Sequence, residues 1–301
     1  MSTLQWKKIG LVVKPDPKLW WMRTHAMVPT MEKISESLYK IYFSGRDEQK
    51  RSHIGWSLMD LSKPDKIQDI SPEPVLSLGA LGCFDDNGVT PSCIVKNGTK
   101  THLYYIGWNP GSTTRMNIFG GLAISEDNGQ SFQRYSRASI LERNRVNPFI
   151  NTAPWVLKEA ENDWTVYYVS GVEWVHKDLP RYNIQMGKST DGLEWKRDGH
   201  ICIDFEKGED ALARPCVTKD GGTYGMWFAS KGLAYRLKYA ESADGMNWRR
   251  RDQQVTIAPT PGSYDSEMME YATVLTYKGQ RFMYYNGNNY GADGIALAIE
   301  G

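Results

Sequence analysis

Ser242-Ala243-Asp244-Gly245-Met246-Asn247-Trp248-Arg249-Arg250 decides the fold, because two earlier parts of the chain carry the same pattern. One copy runs from Ser189 to Arg197 as STDGLEWKR, and another runs from Ser125 to Arg134 as SEDNGQSFQR, with one residue inserted. Each copy has an Asp-Gly or Asn-Gly step, which supplies the positive φ of a tight hairpin turn. Their aromatic residues lie 63 and 53 residues apart. Such intervals predict several copies of one unit, in which this motif is a structural turn without chemistry.

The composition favours an all-β fold. The 301 residues include 11 Trp and 17 Tyr, which favour strands, and 28 Gly, which supply turns. Short strand-like segments bounded by turn signals follow one another without a long amphipathic helical pattern. Propellers and barrels of this length are commonly single domains, so we expect one domain over residues 1–301.

The charge and cysteine patterns argue against several kinds of partner. The net charge is +1 with both signs interspersed, which gives no surface for nucleic acid or a membrane. The first residues lack an apolar leader, and no apolar run has the length of a membrane span. The four cysteines show no CxxC spacing and no histidine at zinc-like intervals. We therefore expect a cytoplasmic protein with reduced thiols, no metal and no cofactor, and we leave its oligomeric state open.

The whole chain divides into five similar units, each with three strand-like segments. Their first segments lie at 25–30, 89–95, 152–157, 214–218 and 272–275. The stretch 6–14 resembles the outer strand that follows each repeated turn, whereas 294–299 ends where such a strand should come next. Pairing of these two ends would leave no unpaired sheet edge. The sequence therefore predicts an all-β, five-bladed β-propeller in which the N-terminal strand closes the last blade.

In that fold the first strand of each blade lines the central channel, so residues that lead into the first strands meet at one face. Polar or ionisable residues occupy this position in every unit: Arg23 and His25; Asp85, Asp86 and Asn87; Asn151 and Thr152; Asp210 and Arg214; Glu267 and Glu270. One interpretation is a binding site at the channel mouth. The other is an ion-pair network around a water-filled channel, because such networks also gather charges.

The loops after the second strands form the rim of the same mouth. They contribute Arg46, Asp47, Arg51 and His53; Trp108 and Asn109; Glu173, Trp174 and His176; Ser230 and Lys231; Asn286, Asn288, Asn289 and Tyr290. Aromatic faces pack on the C–H surfaces of sugars, and amide or guanidinium groups bind vicinal hydroxyls or anions. This composition favours a small-molecule carbohydrate or sugar conjugate as the ligand, although isolated rim tryptophans are also ordinary packing residues.

The chain resembles the five-bladed propeller glycoside hydrolases and phosphorylases, namely the arabinanase/xylosidase (family 43), invertase-like (family 32) and mannoside-phosphorylase (family 130) groups. Four features carry the resemblance: the segments Asp85–Ser92, Ala213–Pro215 and Ser266–Glu270, and the loop Tyr285–Gly291. The Arg-Asp-Pro of the invertase-like group appears here as Ala213-Arg214-Pro215, and no Asn-Asp-Pro-Asn motif occurs. The resemblance implies acids at the starts of the inner strands that act on glycosidic bonds.

Cleavage of a glycoside needs a protonated acid at the leaving oxygen and, for hydrolysis, a carboxylate that acts on water or carbon. Two carboxyl groups in different environments can divide these roles. We assign the acid to Glu270, with Glu267 as its substitute, and the base to Asp86 or Asp85. Asp210 or Glu173 would be a third carboxylate, and Arg214, Arg23 and His25 would bind hydroxyls or an anion. Alternatively, Asp85 and Asp86 cap the turn into Asn87-Gly88.

The sequence thus predicts a glycosidase that acts on a small cytoplasmic sugar. A phosphorylase is an alternative, because a wall of Arg, His and Lys such as Arg23, His25, Arg46, Arg51 and Lys231 could hold phosphate. A non-catalytic propeller that binds a carbohydrate or a nucleotide-sugar is the other alternative, because the same fold also serves as a binding scaffold.

Overall fold

The structure is a computed structural model that describes residues 4–301. Within that range the regular structure consists almost entirely of β-strands. The helical segments are limited to three short turns, Trp20–Met22, Asp252–Gln254 and Asn288–Gly291. No helix among the described residues is long and apolar enough to cross a membrane. The prediction of an all-β chain is therefore confirmed.

The strands form five units in which consecutive strands pair antiparallel. Strand β1 (Trp6–Val13) comes first in the chain. Unit 1 contains β2 (Thr24–Lys33), β3 (Leu38–Arg46), β4 (Ser52–Asp60) and β5 (Ile67–Ile70). Unit 2 contains β6 (Gly88–Asn97), β7 (Lys100–Pro110), β8 (Met116–Ser125) and β9 (Gln133–Arg134). Unit 3 contains β10 (Asn151–Ala160), β11 (Asp163–His176), β12 (Leu179–Ser189) and β13 (Ile201–Ile203).

Unit 4 contains β14 (Ala211–Asp220), β15 (Thr223–Lys231), β16 (Tyr235–Ser242) and β17 (Arg249–Arg250). Unit 5 contains β18 (Glu270–Tyr277), β19 (Gln280–Asn286) and β20 (Ile295–Glu300). Strand β1 completes unit 5, because it pairs antiparallel with β20 from Trp6 opposite Glu300 to Val13 opposite Ile295. The predicted pairing of the N-terminal strand with the last unit is thus present.

The first strands of the five units contact one another. Strand β2 contacts β6, β6 contacts β10, β10 contacts β14, β14 contacts β18, and β18 contacts β2. Hydrophobic clusters fill the space between neighbouring units. One of them joins Phe43 of unit 1 and Trp21, which precedes that unit, to Tyr284 and Leu297 of unit 5. Burial of these apolar faces is the main favourable term in holding such units together.

The repeated turns dock on the preceding unit. The hydroxyl of Tyr104 in β7 donates to the carbonyl of Gly192 at 2.7 Å, and the hydroxyl of Tyr167 in β11 donates to Gly245 at 2.8 Å. Gly192 has a φ of 74°, and a Cβ there would lie 2.8 Å from the Trp164 ring. Glycine is therefore required both for the turn and for close approach. The motif joins neighbouring units, as expected of a structural turn.

Each first strand contains a break in its register with the second strand. In four of them a non-glycine residue at the break has a positive φ: Val28, Ala153, Arg214 and Tyr271. Three of these four residues precede a proline, which has no N–H to contribute to the ladder. A positive φ in such residues costs on the order of 1–3 kcal/mol and persists only where surrounding packing fixes it.

Candidate functional site

A cavity of about 280 Å³ lies where the five first strands come together. One residue at or just before each strand break lines it in every unit: Val28, Thr90, Ala153, Arg214 and Tyr271. The bulges therefore direct one residue of each first strand toward the same space. Ligand sites favour such concave spaces, which are walled by separate elements and contain a few convergent polar groups.

Arg214 is buried beside this cavity and links four units. Its guanidinium donates to unit 5, unit 1 and unit 2 through six acceptors: Tyr271 O, Ala272 O, Thr273 Oγ1, Pro29 O, Thr30 Oγ1 and Ser92 O, at 2.6–3.2 Å. It has no carboxylate partner among the described residues, and it lies 5.7 Å from the Trp155 ring of unit 3. Burial lowers the pKa of Arg214 to about 10, which leaves it charged at neutral pH. Arg214 is held by the fold and also lines the cavity.

Glu270 begins β18 and is fully buried. Neither of its carboxyl oxygens has a hydrogen-bond partner of ordinary geometry within residues 4–301. Burial raises the pKa of Glu270 well above its usual value, and the nearby Lys231 and Tyr271 oppose the shift only in part. A raised pKa favours the protonated form of a carboxyl group, which is the form a general acid needs.

Four tyrosines of the cavity lining lie close enough to Glu270 to interact with it electrostatically. Tyr182, Tyr235, Tyr271 and Tyr290 all line the cavity, whereas Glu270 itself does not. Burial raises the pKa of each of the four, and Glu270 contributes to each shift. The hydroxyls of Tyr182 and Tyr235 share a hydrogen bond. We call these four residues the tyrosine wall; they are the part of the cavity lining that adjoins Glu270.

Three further cations line the cavity from different units. Arg46 ends β3, Arg115 precedes β8 and Lys231 ends β15. None of the three has a carboxylate within 4 Å in the described part of the chain. The acids on the lining are Asp178, which is exposed, and Asp210, which lies 3.7 Å from the Arg181 guanidinium. Cationic groups therefore outnumber acidic groups on the cavity wall.

Of the residues named from the sequence, the structure brings seven together on the cavity lining: Arg46, Trp108, Thr152, Asp210, Arg214, Lys231 and Tyr290. Glu270 does not line the cavity but lies next to Tyr271 and near Lys231, which do. His25 lies next to Arg46 without lining the cavity, and burial together with the Arg46 charge lowers the pKa of His25 to about 4. Arg23 is exposed and also lies off the lining.

The other predicted acids lie off the cavity lining and have different surroundings. Asp85 is fully buried, where it accepts hydrogen bonds from Arg134 Nε at 2.7 Å and from the Tyr105 hydroxyl at 2.8 Å. Asp86 accepts a hydrogen bond from the backbone N–H of Gly82, four residues earlier in its own loop and before the turn into Asn87-Gly88. Glu267 is exposed. Glu173 forms an exposed ion pair with Arg181, and its neighbour Trp174 is half-buried.

The remaining predicted ligands bond to the protein itself. Asp47 accepts hydrogen bonds from Arg51 and His53. Three asparagines organise backbone: Asn151 donates to Asn147 O, Asn286 donates to Ala26 O and accepts from Val28 N, and Asn288 accepts from Glu267 N and donates to Ser263 O. None of the four lines the cavity. Asn286 and Asn288 instead fix the segments on either side of Glu270.

The sequence reasoning did not identify Arg115, Asp178, Tyr182, Tyr235 or Tyr271. A signal for one part of the lining was present in the sequence, because the cavity residue directly precedes a proline in units 1 to 4. Unit 5 has alanine in place of that proline, so Tyr271 could have been found by position. Arg115 and Asp178 lie between strands in hairpins that differ in length, and no repeated pattern marks them.

Comparison with solved structures defines the class of fold. The chain superimposes on a structure described as a glycoside hydrolase with a TM-score of 0.77 and 19% identity, over 99% of this chain and 92% of that one. A thermostable family-43 glycoside hydrolase gives 0.69 at 16% identity, covering 92% and 89%. A structure from the family of mannoside phosphorylases that contains glycoside hydrolases targeting β-1,2 mannosidic linkages in Candida mannan gives 0.74 at 12%, covering 99% and 94%. The fold is that of the propeller glycoside hydrolases and phosphorylases, as the resemblance predicted.

Sequence comparison defines the family within that class. The chain is 39% identical over 299 residues to the uncharacterized protein MT1551 of Mycobacterium tuberculosis (strain CDC 1551 / Oshkosh), covering 98% of this chain and 99% of the relative. It is equally identical, over the same length, to the uncharacterized protein Rv1502 of strain ATCC 25618 / H37Rv. No profile of a described protein family matches the chain. The chain belongs to the same family as these two mycobacterial proteins.

Proposed function

We propose that the protein is a carbohydrate-active enzyme of the glycoside hydrolase type, in which Glu270 supplies the proton for cleavage of a glycosidic bond. The observation that carries the proposal is the state of Glu270, a fully buried carboxyl group next to the cavity residue Tyr271. Among residues 4–301 it has neither an ion pair nor a hydrogen-bonding partner of ordinary geometry. Folding is not helped by such a group, because burial of an unpaired acid is costly. A protonated acid beside a substrate cavity is what glycosidic cleavage requires.

The proposal includes the architecture, a single domain over residues 1–301 whose five units are the blades of a five-bladed propeller. Two observations support it. The contacts between first strands run from β2 through β6, β10, β14 and β18 back to β2. Strand β1 also completes the last unit. In this arrangement the cavity lies on the propeller axis, where residues distant in sequence act on one substrate.

Because Glu270 adjoins the tyrosine wall but does not line the cavity, we assign delivery of the proton to Tyr271. Tyr271 follows Glu270 in β18, lies close enough to affect its pKa and lines the cavity. Its hydroxyl proton moves to the glycosidic oxygen while the Glu270 proton moves to the Tyr271 oxygen. The C–O bond breaks and its electron pair stays on the leaving oxygen. Asp210, the half-buried acid of the lining, takes the proton from the water that attacks the sugar carbon, a role the sequence had given to Asp86 or Asp85.

The first test compares Glu270→Gln with the parent on a panel of aryl glycosides and alkyl glycosides. Loss of a general acid lowers the rate by about 10²–10⁴-fold when the leaving group needs protonation. A dinitrophenyl leaving group departs without a proton, so its cleavage should be far less affected. A uniform loss across all leaving groups, in a variant that is still folded by circular dichroism, would contradict the acid role.

Two companion variants make this test specific. Tyr271→Phe should reproduce the leaving-group dependence, because it interrupts the same proton path. Glu267→Gln separates the two acids proposed from the sequence, since exposed Glu267 should tolerate the change. Glu194→Gln, at an exposed position in a repeated turn, is the control for a neutralised surface glutamate.

The same panel tests the alternatives when it is run with and without inorganic phosphate. Phosphate-dependent cleavage that releases a sugar phosphate would identify a phosphorylase. Binding of a sugar without turnover of any substrate would identify a binding protein. The cytoplasmic location and the small size of the sugar stay predictions, and fractionation of the native cells measures the first.

A further inference from the structure

We propose that Arg46, Arg115 and Lys231 form an anion subsite in the cavity, so that the sugar substrate carries a carboxylate or a phosphate ester. That the bound sugar is a substrate rests on the proposed function, but the subsite itself can be tested by binding alone. It narrows the expected ligand from sugars in general to acidic sugars.

The first argument is that these cations lack counter-ions. Arg46, Arg115 and Lys231 have neither an ion pair nor a side-chain hydrogen bond in the described part of the chain. Other partly buried cations of the same chain are paired: Arg250 contacts Glu209 and Asp252 at 2.7 and 2.6 Å, and Arg134 contacts Asp85. Arg46 and Lys231 are half-buried and Arg115 is exposed, and all three lie on the cavity lining without an ion pair. Partly desolvated charges of one sign are stabilised by an anion that enters between them.

The second argument is the electrostatic effect of these cations on their surroundings. Arg46 is half-buried, and burial lowers its pKa, which means that its charge is incompletely compensated. The positive charge of Arg46 is also the second cause, after burial, of the lowered pKa of His25. Lys231 lies near Glu270, whose raised pKa favours the neutral form of the carboxyl group.

The acids on the cavity wall do not neutralise the positive charge of these cations. Asp178 is exposed, and Asp210 has the Arg181 guanidinium 3.7 Å away. Arg214 adds a fourth positive charge, although its Nη atoms are occupied by backbone and threonine oxygens. The hydroxyl of Thr152, a residue only 6% exposed, lines the same space without a partner among residues 4–301. An oxyanion can therefore receive both charged and neutral donors here.

The chemistry of the donors favours an oxyanion over neutral hydroxyls. Guanidinium groups bind carboxylates and phosphates with two parallel hydrogen bonds, and such charge-assisted bonds are about twice as strong as neutral ones. The three cations come from units 1, 2 and 4, so they approach the cavity from separate directions. One anionic group held between them would orient the attached sugar against the tyrosine wall, next to the proposed proton path.

The experiment is calorimetric titration of the unmodified chain with matched pairs of sugars that differ only in charge. The probes are glucose with glucuronate, galactose with galacturonate, mannose with mannose 6-phosphate, and inorganic phosphate alone. At low ionic strength, at least one acidic sugar should bind about tenfold or more tightly than its neutral partner, because one charge-assisted bond is worth about that factor. Raising the salt concentration should reduce this preference.

The variants Arg46→Gln, Arg115→Gln and Lys231→Met should each reduce the preference for the acidic sugar, and the triple variant should abolish it. Arg145→Gln is the matched control, because Arg145 is exposed and lies outside the cavity lining. Thermal denaturation checks that every variant is folded. Equal affinities within all pairs, or a preference that survives in the triple variant, would overturn the proposal. So would binding of inorganic phosphate with no preference for any acidic sugar, because the anion would then be separate from the sugar.

These outcomes are independent of turnover. A preference for acidic sugars without any hydrolysis supports the subsite and refutes the proposed hydrolase. Cleavage of neutral glycosides with no preference for acidic ones supports the hydrolase and refutes the subsite.

Discussion

Asp85 and Glu270 are both 0% exposed, yet the protein surrounds them in opposite ways. Asp85 has a guanidinium and a tyrosine hydroxyl as partners, whereas Glu270 has no partner of ordinary geometry among the described residues. Each lies at or just before the first strand of its unit, where the sequence predicted catalytic acids. Position along the chain is therefore insufficient to identify a chemically active carboxyl group. An ion pair with a hydrogen-bonded cation, present at Asp85 and not found for Glu270 among residues 4–301, distinguishes the two.

Unit 5 contains both kinds of carboxyl group. Its Asp265 repeats the surroundings of Asp85, because Asp265 is buried and accepts hydrogen bonds from the Tyr285 hydroxyl at 2.9 Å and from the Lys8 ammonium. Tyr285 occupies in β19 the place that Tyr105 occupies in β7. Glu270, five residues after Asp265, has no equivalent in unit 2, where Val89 and Thr90 follow. Asp85 and Asp265 each hold in place the loop that precedes the first strand of their unit. Glu270 takes no part in these hydrogen bonds.

The largest expected effect is on stability when the paired carboxylate is neutralised. Asp85→Asn removes the ion pair with Arg134 and should lower the free energy of unfolding by about 3 kcal/mol, as breaking of a buried pair does. Glu270→Gln should leave it unchanged or raise it, because no cation loses a partner. Urea denaturation measures both, with Asp86→Asn as the control for the adjacent turn residue. Comparable losses in Asp85→Asn and Glu270→Gln would remove the distinction between the two sites.

The pH dependence of stability should sharpen the comparison. The pKa of Glu270 is higher in the folded protein than in the unfolded chain, so the folded state binds the extra proton. Stability should therefore fall as pH rises above the ordinary carboxyl range near 4.5, and this contribution should vanish in Glu270→Gln. We expect the Glu270→Gln variant to melt above the parent at pH 8 by a few degrees, on the order of 3 °C, with a smaller difference at pH 5. A difference that is constant across this range would show that Glu270 does not titrate as proposed.

The smallest expected effect comes from removing single hydroxyl groups beside the two carboxyls of unit 5. Tyr285→Phe takes a hydrogen bond from Asp265 and should cost about 1.5 kcal/mol of stability, as loss of a hydrogen bond to a charged group does. Tyr271→Phe should change stability less and activity more, since Tyr271 belongs to the proposed proton path. Thermal melting together with glycoside turnover separates the two effects. The reverse order of sensitivities would place the functional carboxyl at Asp265 instead.

The fold was predictable because its determinants are local and repeated. The three copies of the turn around Gly129, Gly192 and Gly245 predicted the unit, and the stretch around Trp6 predicted the pairing with β20. Both depend on backbone chemistry within a few residues. Each turn proved to accept a tyrosine from the preceding unit, which no local pattern could indicate.

The site was predictable only where position alone determines the outcome. Arg46, Trp108, Asp210, Arg214 and Lys231 line the cavity because the first two strands of any such unit lead there. The difference between the surroundings of Asp85 and Glu270 depends on Arg134. Arg134 is 49 residues from Asp85 in the sequence, and the two meet only through the packing of unit 2. The tyrosine wall likewise combines residues of three strands and a short helical turn. These contacts depend on tertiary packing, which residue type and spacing do not predict.

The hydrogen bonds of Arg214 have a consequence for how this family can diversify. One side chain of unit 4 is attached to the main chain of units 5, 1 and 2, so the centre of the molecule has little freedom to change shape. Arg115 and Asp178, by contrast, sit in hairpin loops joined by the Arg115 N–H and the Lys177 carbonyl, away from that hub. Substitutions in these outer loops can alter the shape and charge of the cavity lining while the centre stays rigid. The lining can thus evolve at the periphery without changes to the residues that join the units.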